Sequence, residues 1–489
     1  MNETETLVTP RGRLAVLTLL AVATAMLASA CRSLDPNGEL ARAHELANSR
    51  IAITTSDGSP PADWHAERPL TAAEAIEIGL RHAPAIIAAR PTLAAARAAL
   101  VEASQPPNPV FRWMVGVPID SVEAVPFFLG VAQDLGYLLQ RDALIEVAEL
   151  DLEREVLSAA QRFVEKAFEI ESLHRAALAA QEQHRLALEQ ATLAASILRL
   201  AEDREFVGEG IPSDTALAQA RRRHAEAQAA EARRIEQQSK LALLKAMGRP
   251  GLSLDWSVAR ELASAEPVEP WHGGTDSVSG DPRSIESWLV RTALGNRLDL
   301  LASDLAACSR FESIGIAANS IWNSLSFGVG FDRDMEGMRG VPFSGAVPIP
   351  IFDDGSVPRA RAEAAWQLAM IDRFELAQTI EAEVRSAWID SIAASNALEA
   401  REHELRELER AADSIRAAYD GGFESLAEVL LLDARRLEVH RDVIAAREDL
   451  DLSRIALRRA VGGVPDPSAD ASGSVVASDR SGRSWEDPS

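Results

Sequence analysis

From about Gln140 to Arg204 the chain contains neither proline nor glycine. About 65 residues without a helix breaker, at ~1.5 Å each, describe a helix of roughly 100 Å. No compact globule requires that length. The apolar positions inside it step by three and four, through Phe163, Ala167, Ile170, Leu173 and Ala177. The same stepping returns in Trp366, Met370, Phe374, Ala377, Ile380, Val384 and Ala387. Such stripes are seams packed against other helices, and the many alanines let backbones approach closely. Only 5% of the 489 residues are aromatic and 25% are charged, a balance that suits long, thin helices better than a thick core.

The two stripes belong to a duplication. At an offset of 214, Leu243-Leu244-Lys245-Ala246-Met247-Gly248 matches Leu457-Arg458-Arg459-Ala460-Val461-Gly462, Ala220-Arg221 matches Ala434-Arg435, and Phe111 falls on Leu325. Gly210 falls near Gly422 at an offset of 212. A repeat of this size organises the chain into two copies of one plan, residues 70–250 and 283–463.

Each copy opens with a helical lead-in. In the first, Thr71-Ala72-Ala73-Glu74 has the spacing of a capping box, with hydroxyl and carboxylate each satisfying a backbone N–H of the first turn. Pro84 then ends one helix and starts another, which Gln105-Pro106-Pro107-Asn108-Pro109 stops. Two short alternating strands follow, at about 110–118 and 125–135 in the first copy and about 324–332 and 341–351 in the second. Phe327, Val329 and Phe331 share one face with Leu325, while Ser324, Ser326, Gly328 and Gly330 share the other. Phe343, Val347, Ile349 and Ile351 mark one face of the return strand. Phe111, Trp113 and Val115 alternate with Arg112, Met114 and Gly116. A period of two with one greasy and one wet face suits a lipid-facing barrel strand and also a half-buried soluble hairpin.

After each hairpin the long helix runs out and turns back, at Gly208-Glu209-Gly210-Ile211-Pro212-Ser213 and at Asp420-Gly421-Gly422-Phe423-Glu424-Ser425. Glycine frees the backbone to leave the helix, and Ser213 or Ser425 is placed to cap the next one. Residues 251–282 form a linker rich in Pro, Gly, Ser and acid, and 464–489 read as a disordered tail.

The N-terminus reads as an export signal over residues 1–30. Arg11 and Arg13 precede the apolar run Leu14–Leu27, too short for a good membrane span. It ends in Leu27-Ala28-Ser29-Ala30-Cys31, which resembles a bacterial lipobox, so Cys31 would begin the mature chain and carry lipid, with 31–69 as the lipidated lead segment. Arg32 follows the cysteine, consistent with delivery to the outer membrane. Cys308 sits in a helical stretch and has no partner for a disulfide. Beyond Cys31 no run of ~18 apolar residues stands out, so any crossing by the mature chain falls to strands. The net charge of −24 excludes nonspecific nucleic-acid binding.

Taken in order, Leu70-Thr71-Ala72-Ala73-Glu74-Ala75-Ile76 with His82-Ala83-Pro84, Asn296-Arg297-Leu298-Asp299-Leu300, Val347-Pro348-Ile349-Pro350-Ile351-Phe352-Asp353-Asp354-Gly355, and Ala418-Tyr419-Asp420-Gly421-Gly422 through Val429-Leu430 resemble the TolC-type outer-membrane efflux family. The resemblance covers roughly Leu70 to Gly463. It implies a mainly α fold with a small β part: long antiparallel coiled helices forming a periplasmic tunnel, and four strands per chain contributed to a twelve-stranded barrel shared by a homotrimer. It implies a passive exit duct, fed by an inner-membrane pump through a periplasmic adaptor that docks on the turns at Gly210, Ser213, Gly422 and Ser425. Phe327, Val329 and Phe331 would then face outer-membrane lipid, and Arg112 the lumen. Aligning Gly422 with the family's tip glycine puts Glu428 on the first acidic position of the periplasmic gate, Leu431 on the second, and Glu424 where some members carry arginine. Pro91 departs from the family by interrupting a helix usually continuous.

Catalysis finds no support. The sequence holds no HExxH, no GxSxG and no phosphate-binding glycine loop. The nine histidines are scattered, and His174 and His184 read as surface residues of the long helix rather than metal ligands. No cofactor is implied. The rival reading is a non-conducting, lipid-anchored periplasmic coiled-coil adaptor, which needs no lipid-facing strands.

Overall fold

The computed structural model describes residues 33–51, 64, 68–117, 124–208, 211–260, 282–420 and 426–463. Helices dominate: α1 (Asn37–Ile51), α2 (Ala72–His82), α3 (Pro84–Ile87), α4 (Ala89–Ser104), α5 (Gly136–Phe206), α6 (Pro212–Ala246), α7 (Pro282–Asn296), α8 (Leu298–Ala318), α9 (Ser356–Asp420) and α10 (Leu426–Ala460). The strands are β1 (Val110–Val115), β2 (Phe127–Asp134), β3 (Ser326–Arg333), β4 (Arg339–Gly340) and β5 (Phe343–Ala346). The capping box at α2 is complete: Thr71 Oγ1 accepts from the Glu74 N–H, and the Glu74 carboxylate accepts from the Thr71 N–H. Pro91 falls in the first turn of α4, where its missing N–H has no helical partner to lose, so the helix simply starts later.

Two compact units divide the chain, and each draws on both copies of the repeat. One holds the sheet, most of α4, the start of α5, most of α8 and the start of α9. Its core groups Leu100, Ala148 and Leu152 with Ala96, Ala103 and Ile145. Polar ties add to it: Tyr137 donates to the Ala103 carbonyl at 2.8 Å, and Gln140 donates to the Asn319 carbonyl and to Asn323 Oδ1, each at 2.8 Å. By length and composition the segment Pro84–Ser104 qualifies as a membrane span, against the sequence expectation that no such run exists. Its apolarity is mostly alanine, and Ala96, Leu100 and Ala103 are spent on the α5 contact.

The second unit is helical. In it Leu289, Ala293, Leu300, Ile380, Val384, Leu457, Ala460 and Val461 form one apolar cluster, so α7, α9 and the end of α10 pack together. Phe163, Ala167, Ile170 and Ala177 of the first stripe are almost fully buried. The second stripe is buried only at Ile380, Val384 and Ala387, while Met370 and Phe374, further up α9, are exposed. His174 and His184 are not surface residues. His174 is fully buried and its Nε2 donates to the Leu70 carbonyl at 2.9 Å, and His184 meets Glu236 at 2.5 Å with only 18% of its side chain exposed. Both lie on the packed side of α5, where a polar ring needs a partner.

The duplication is visible in three dimensions. Gly248 and Gly462, 214 residues apart, both adopt positive φ, +77° and +86°, just beyond the ends of α6 and α10. A Cβ on Gly248 would stand 2.3 Å from the His82 carbonyl oxygen at the end of α2. One on Gly462 would stand 3.0 to 3.3 Å from Arg297, just after the end of α7. Only glycine accepts both the left-handed backbone and the close approach.

Candidate functional site

The sheet is an antiparallel run in which β2 pairs with β1 and β3, and β3 pairs with β4 and β5. The register sets Phe111 opposite Val131, Trp113 opposite Leu129, Leu129 opposite Phe331, Val131 opposite Val329, and Val329 opposite Phe343. Residues directly opposite share a face, so Phe111, Trp113, Val115, Phe127, Leu129, Val131, Phe327, Val329, Phe331 and Phe343 make one continuous apolar surface. Most of it is open: Trp113 is 69% exposed and Phe343 71%. The rings of Phe127 and Phe331 lie 6.0 Å apart on it, and those of Phe327 and Phe343 6.2 Å.

The reverse face carries Arg112, Met114, Gly130, Ser326, Gly328, Gly330 and Ser344. There Gly130 and Gly330 are directly opposed, and the Phe128 ring lies over both, so close that a Cβ on either would stand 2.4 to 2.6 Å from ring carbons. A side-chain-free strip is thereby covered without a second layer. Among the described residues β1 and β5 each have an unpaired edge.

The expected return strand of the second copy, about 341–351, is shorter. Only Phe343–Ala346 and the two-residue β4 pair, because Pro348 and Pro350 bring no N–H to the ladder. Val347, Ile349, Ile351 and Phe352 leave the sheet and stand exposed.

At the far end of α9 the chain returns as α10. Leu430 and Asp433 are buried, while Glu428 and Leu431, three residues apart, share the exposed face, Leu431 at 68%. Asp433 accepts from Arg416 Nη2 of α9 at 2.9 Å, and Arg436 approaches the same oxygen at 3.8 Å. Sequence reading missed this pair; its signal was opposite charge about one helical turn before the expected turn and about two after it. At the other turn, Ile211 occupies the N-cap without a side-chain bond and Pro212 is the first helical residue, so Ser213 sits inside the helix and does not cap it. Proline with its preset φ starts the helix instead. Thr215 supplies the polar tie across that turn, donating to Glu205 at 2.5 Å. Cys31, Gly210, Gly422, Glu424 and Ser425 lie outside the described residues.

Residues 289–463 match the family model described as outer membrane efflux protein. Residues 289–463 carry an outer membrane efflux protein domain. No curated protein matches the chain in sequence. Solved structures do match in shape. CusC, from a study of folding and transmembrane channel formation, aligns with a TM-score of 0.66 at 16% identity, covering 85% of this chain and 96% of its own. VceC, an outer membrane protein of Vibrio cholerae, aligns at 0.61 and 16% identity over 81% and 97%. CmeC, an outer membrane channel of Campylobacter jejuni, aligns at 0.61 and 14% identity over 84% and 92%. The efflux-protein fold therefore extends well beyond the matched domain, taking in the first copy of the repeat. This is a family of efflux channels rather than of enzymes.

Proposed function

We propose that the chain is the outer-membrane component of a tripartite efflux or secretion system, a passive exit duct for substrates delivered by an inner-membrane pump and a periplasmic adaptor. The observation that carries this is the sheet's continuous exposed apolar face, backed by a mixed face in which Arg112, serines and glycines stand beside Met114 and Phe128. A soluble protein does not leave such a surface open, and in a bilayer the unpaired edges of β1 and β5 require neighbours. Closure by three copies gives twelve strands, with Phe327, Val329 and Phe331 toward lipid and Arg112 toward the lumen. The eight residues of β2 and of β3, at ~3.4 Å each, give about 27 Å along the strand, or roughly 20 Å of height at the tilt of a barrel strand, most of an outer-membrane apolar band of about 25 Å. Lipid on Cys31 would anchor the protein on the periplasmic side.

The exposed Glu428 and Leu431 fit the periplasmic constriction, where three symmetric copies would place a ring of carboxylates above a ring of leucines, with Glu424 on the turn before them. The turns at Gly210–Ser213 and Gly422–Ser425 fit the adaptor's docking sites. Planar-bilayer conductance of the purified full-length protein tests the reading, with Glu428→Ala beside it. Discrete cation-selective steps whose selectivity falls in the variant support both duct and gate. Steps unchanged in the variant reject the gate assignment alone. A verified trimer silent at every voltage returns the protein to the non-conducting adaptor.

A further inference from the structure

The apolar face of the sheet ends in two arginines. Arg333 closes β3 and Arg339 opens β4, and the register places them directly opposite one another, with Phe127 on the other side of Arg333. By the alternation of β3, Arg333 shares the face of Phe327, Val329 and Phe331, and Arg339 shares it by pairing. Like charges directly opposed across an antiparallel pair repel, so an isolated sheet gains nothing from this arrangement.

Among the described residues the two flanking aspartates do not relieve it. Asp334 turns its carboxylate inward to accept from the N–H groups of Glu336 and Met338, at 3.1 and 2.8 Å. Asp332 points to the opposite face, against Gly340. Neither arginine side chain has a hydrogen bond or ion pair among the described residues, and Arg333 Nε is buried without an acceptor.

Chain connectivity fixes which rim this is. The ends of β1, β2, β3 and β5 near Val110, Asp134, Ser326 and Ala346 lead toward helices, whereas Val115, Phe127, Arg333 and Arg339 lie at the opposite, loop-side end. By register both arginines therefore end the strand face that carries Phe127, Leu129 and Phe331, on the side that faces the bilayer if the sheet closes into a barrel, with Arg333 Nη2 3.7 Å from where a Cβ on Gly337 would stand. We propose that Arg333 and Arg339 bind the phosphate of an anionic lipid headgroup at this rim, the guanidinium forks taking its oxygens while the acyl chains lie along the aromatic wall. The site rests on the barrel reading above.

The test uses the full-length trimer in nanodiscs of phosphatidylcholine alone, of phosphatidylcholine doped with phosphatidylglycerol, and of phosphatidylcholine with inorganic phosphate in the buffer. Retained lipid is counted by native mass spectrometry, and the thermal midpoint is recorded, for the unmodified chain, R333Q, R339Q and the double variant. Phosphatidylglycerol should be retained preferentially and raise the midpoint, and retention should fall on the order of tenfold per arginine removed. In phosphatidylcholine alone R339Q should leave the midpoint unchanged or raise it, since only repulsion is lost. An equal rise in both lipids would overturn the proposal, because the pair would then be unrelieved repulsion. A shift reproduced by inorganic phosphate alone would overturn the headgroup as the source. Failure to insert as a trimer in any nanodisc would instead count against the barrel.

Discussion

Asp433 of α10 accepts a hydrogen bond from Arg416 of α9 at 2.9 Å, with the aspartate side chain only 8% exposed and the arginine 43% exposed. This pair clamps the two helices close to their turn, where few apolar contacts do so. Burial of the carboxylate makes it dependent on its partner. Among the described residues near it on α10, only Leu430 is as deeply buried.

Asp433→Ala should loosen this hairpin end without unfolding the rest. Loss of a charge-assisted bond whose donor is half exposed is about 1–2 kcal/mol. Hydrogen exchange should accelerate on α10 from about 428 to 436 and stay unchanged around Leu457. Uniform acceleration along the whole helix would show that the pair carries no local clamp.

Phe331→Arg should block membrane assembly while leaving the helical unit folded. A cationic side chain on the lipid face of an outer-membrane strand costs about 2–4 kcal/mol at the midplane and about 0–1 at the rim, and Phe331 lies between the two. Trimer yield after detergent extraction would drop. Arg112→Gln, on the opposite face, should assemble normally, and equal losses in the two variants would contradict the assigned faces.

Gly248→Ala should be more damaging than Gly295→Ala. At Gly248 the new methyl would meet the His82 carbonyl at 2.3 Å in a left-handed backbone, whereas a Cβ at Gly295 meets nothing within 4 Å. The backbone term alone is about 1–2 kcal/mol. Thermal midpoints of the two variants, recorded together, decide the matter.

Acidification should weaken the helical unit. Burial opposes ionisation of Glu236, but hydrogen bonds from Lys240 and His184 outweigh it and hold its carboxyl below the usual range. Burial also pushes His44, stacked at 4.4 Å on Phe163, below the ordinary histidine value. Both groups have a folded pKa below the unfolded one, so both contribute stability above the unfolded values that is lost as pH falls through the folded ones. His44 acts first, from about pH 6.5 downward, and Glu236 below about pH 4.5. His44→Phe should remove the first part of the decline in a pH series of urea midpoints. An unchanged series would assign that decline to other groups.

Much of this protein was legible in the residues alone. The breaker-free run from Gln140 to Arg204 announces α5, Thr71 and Glu74 announce the start of α2, and the alternation from Leu325 to Phe331 announces β3, because each is a local pattern with a local cause. The repeat, too, is written in spacing, and Gly248 and Gly462 show why those two positions must match.

What only the tertiary structure decided depends on contacts between segments far apart in sequence. His174 reads as one polar residue on a long helix, and its burial follows from the carbonyl of Leu70, 104 positions away. Arg333 reads as the charged end of a strand, and its conflict with Arg339 exists only in the register of the sheet. Periodicity tells which residues share a face of one element; it carries no information about what that face meets.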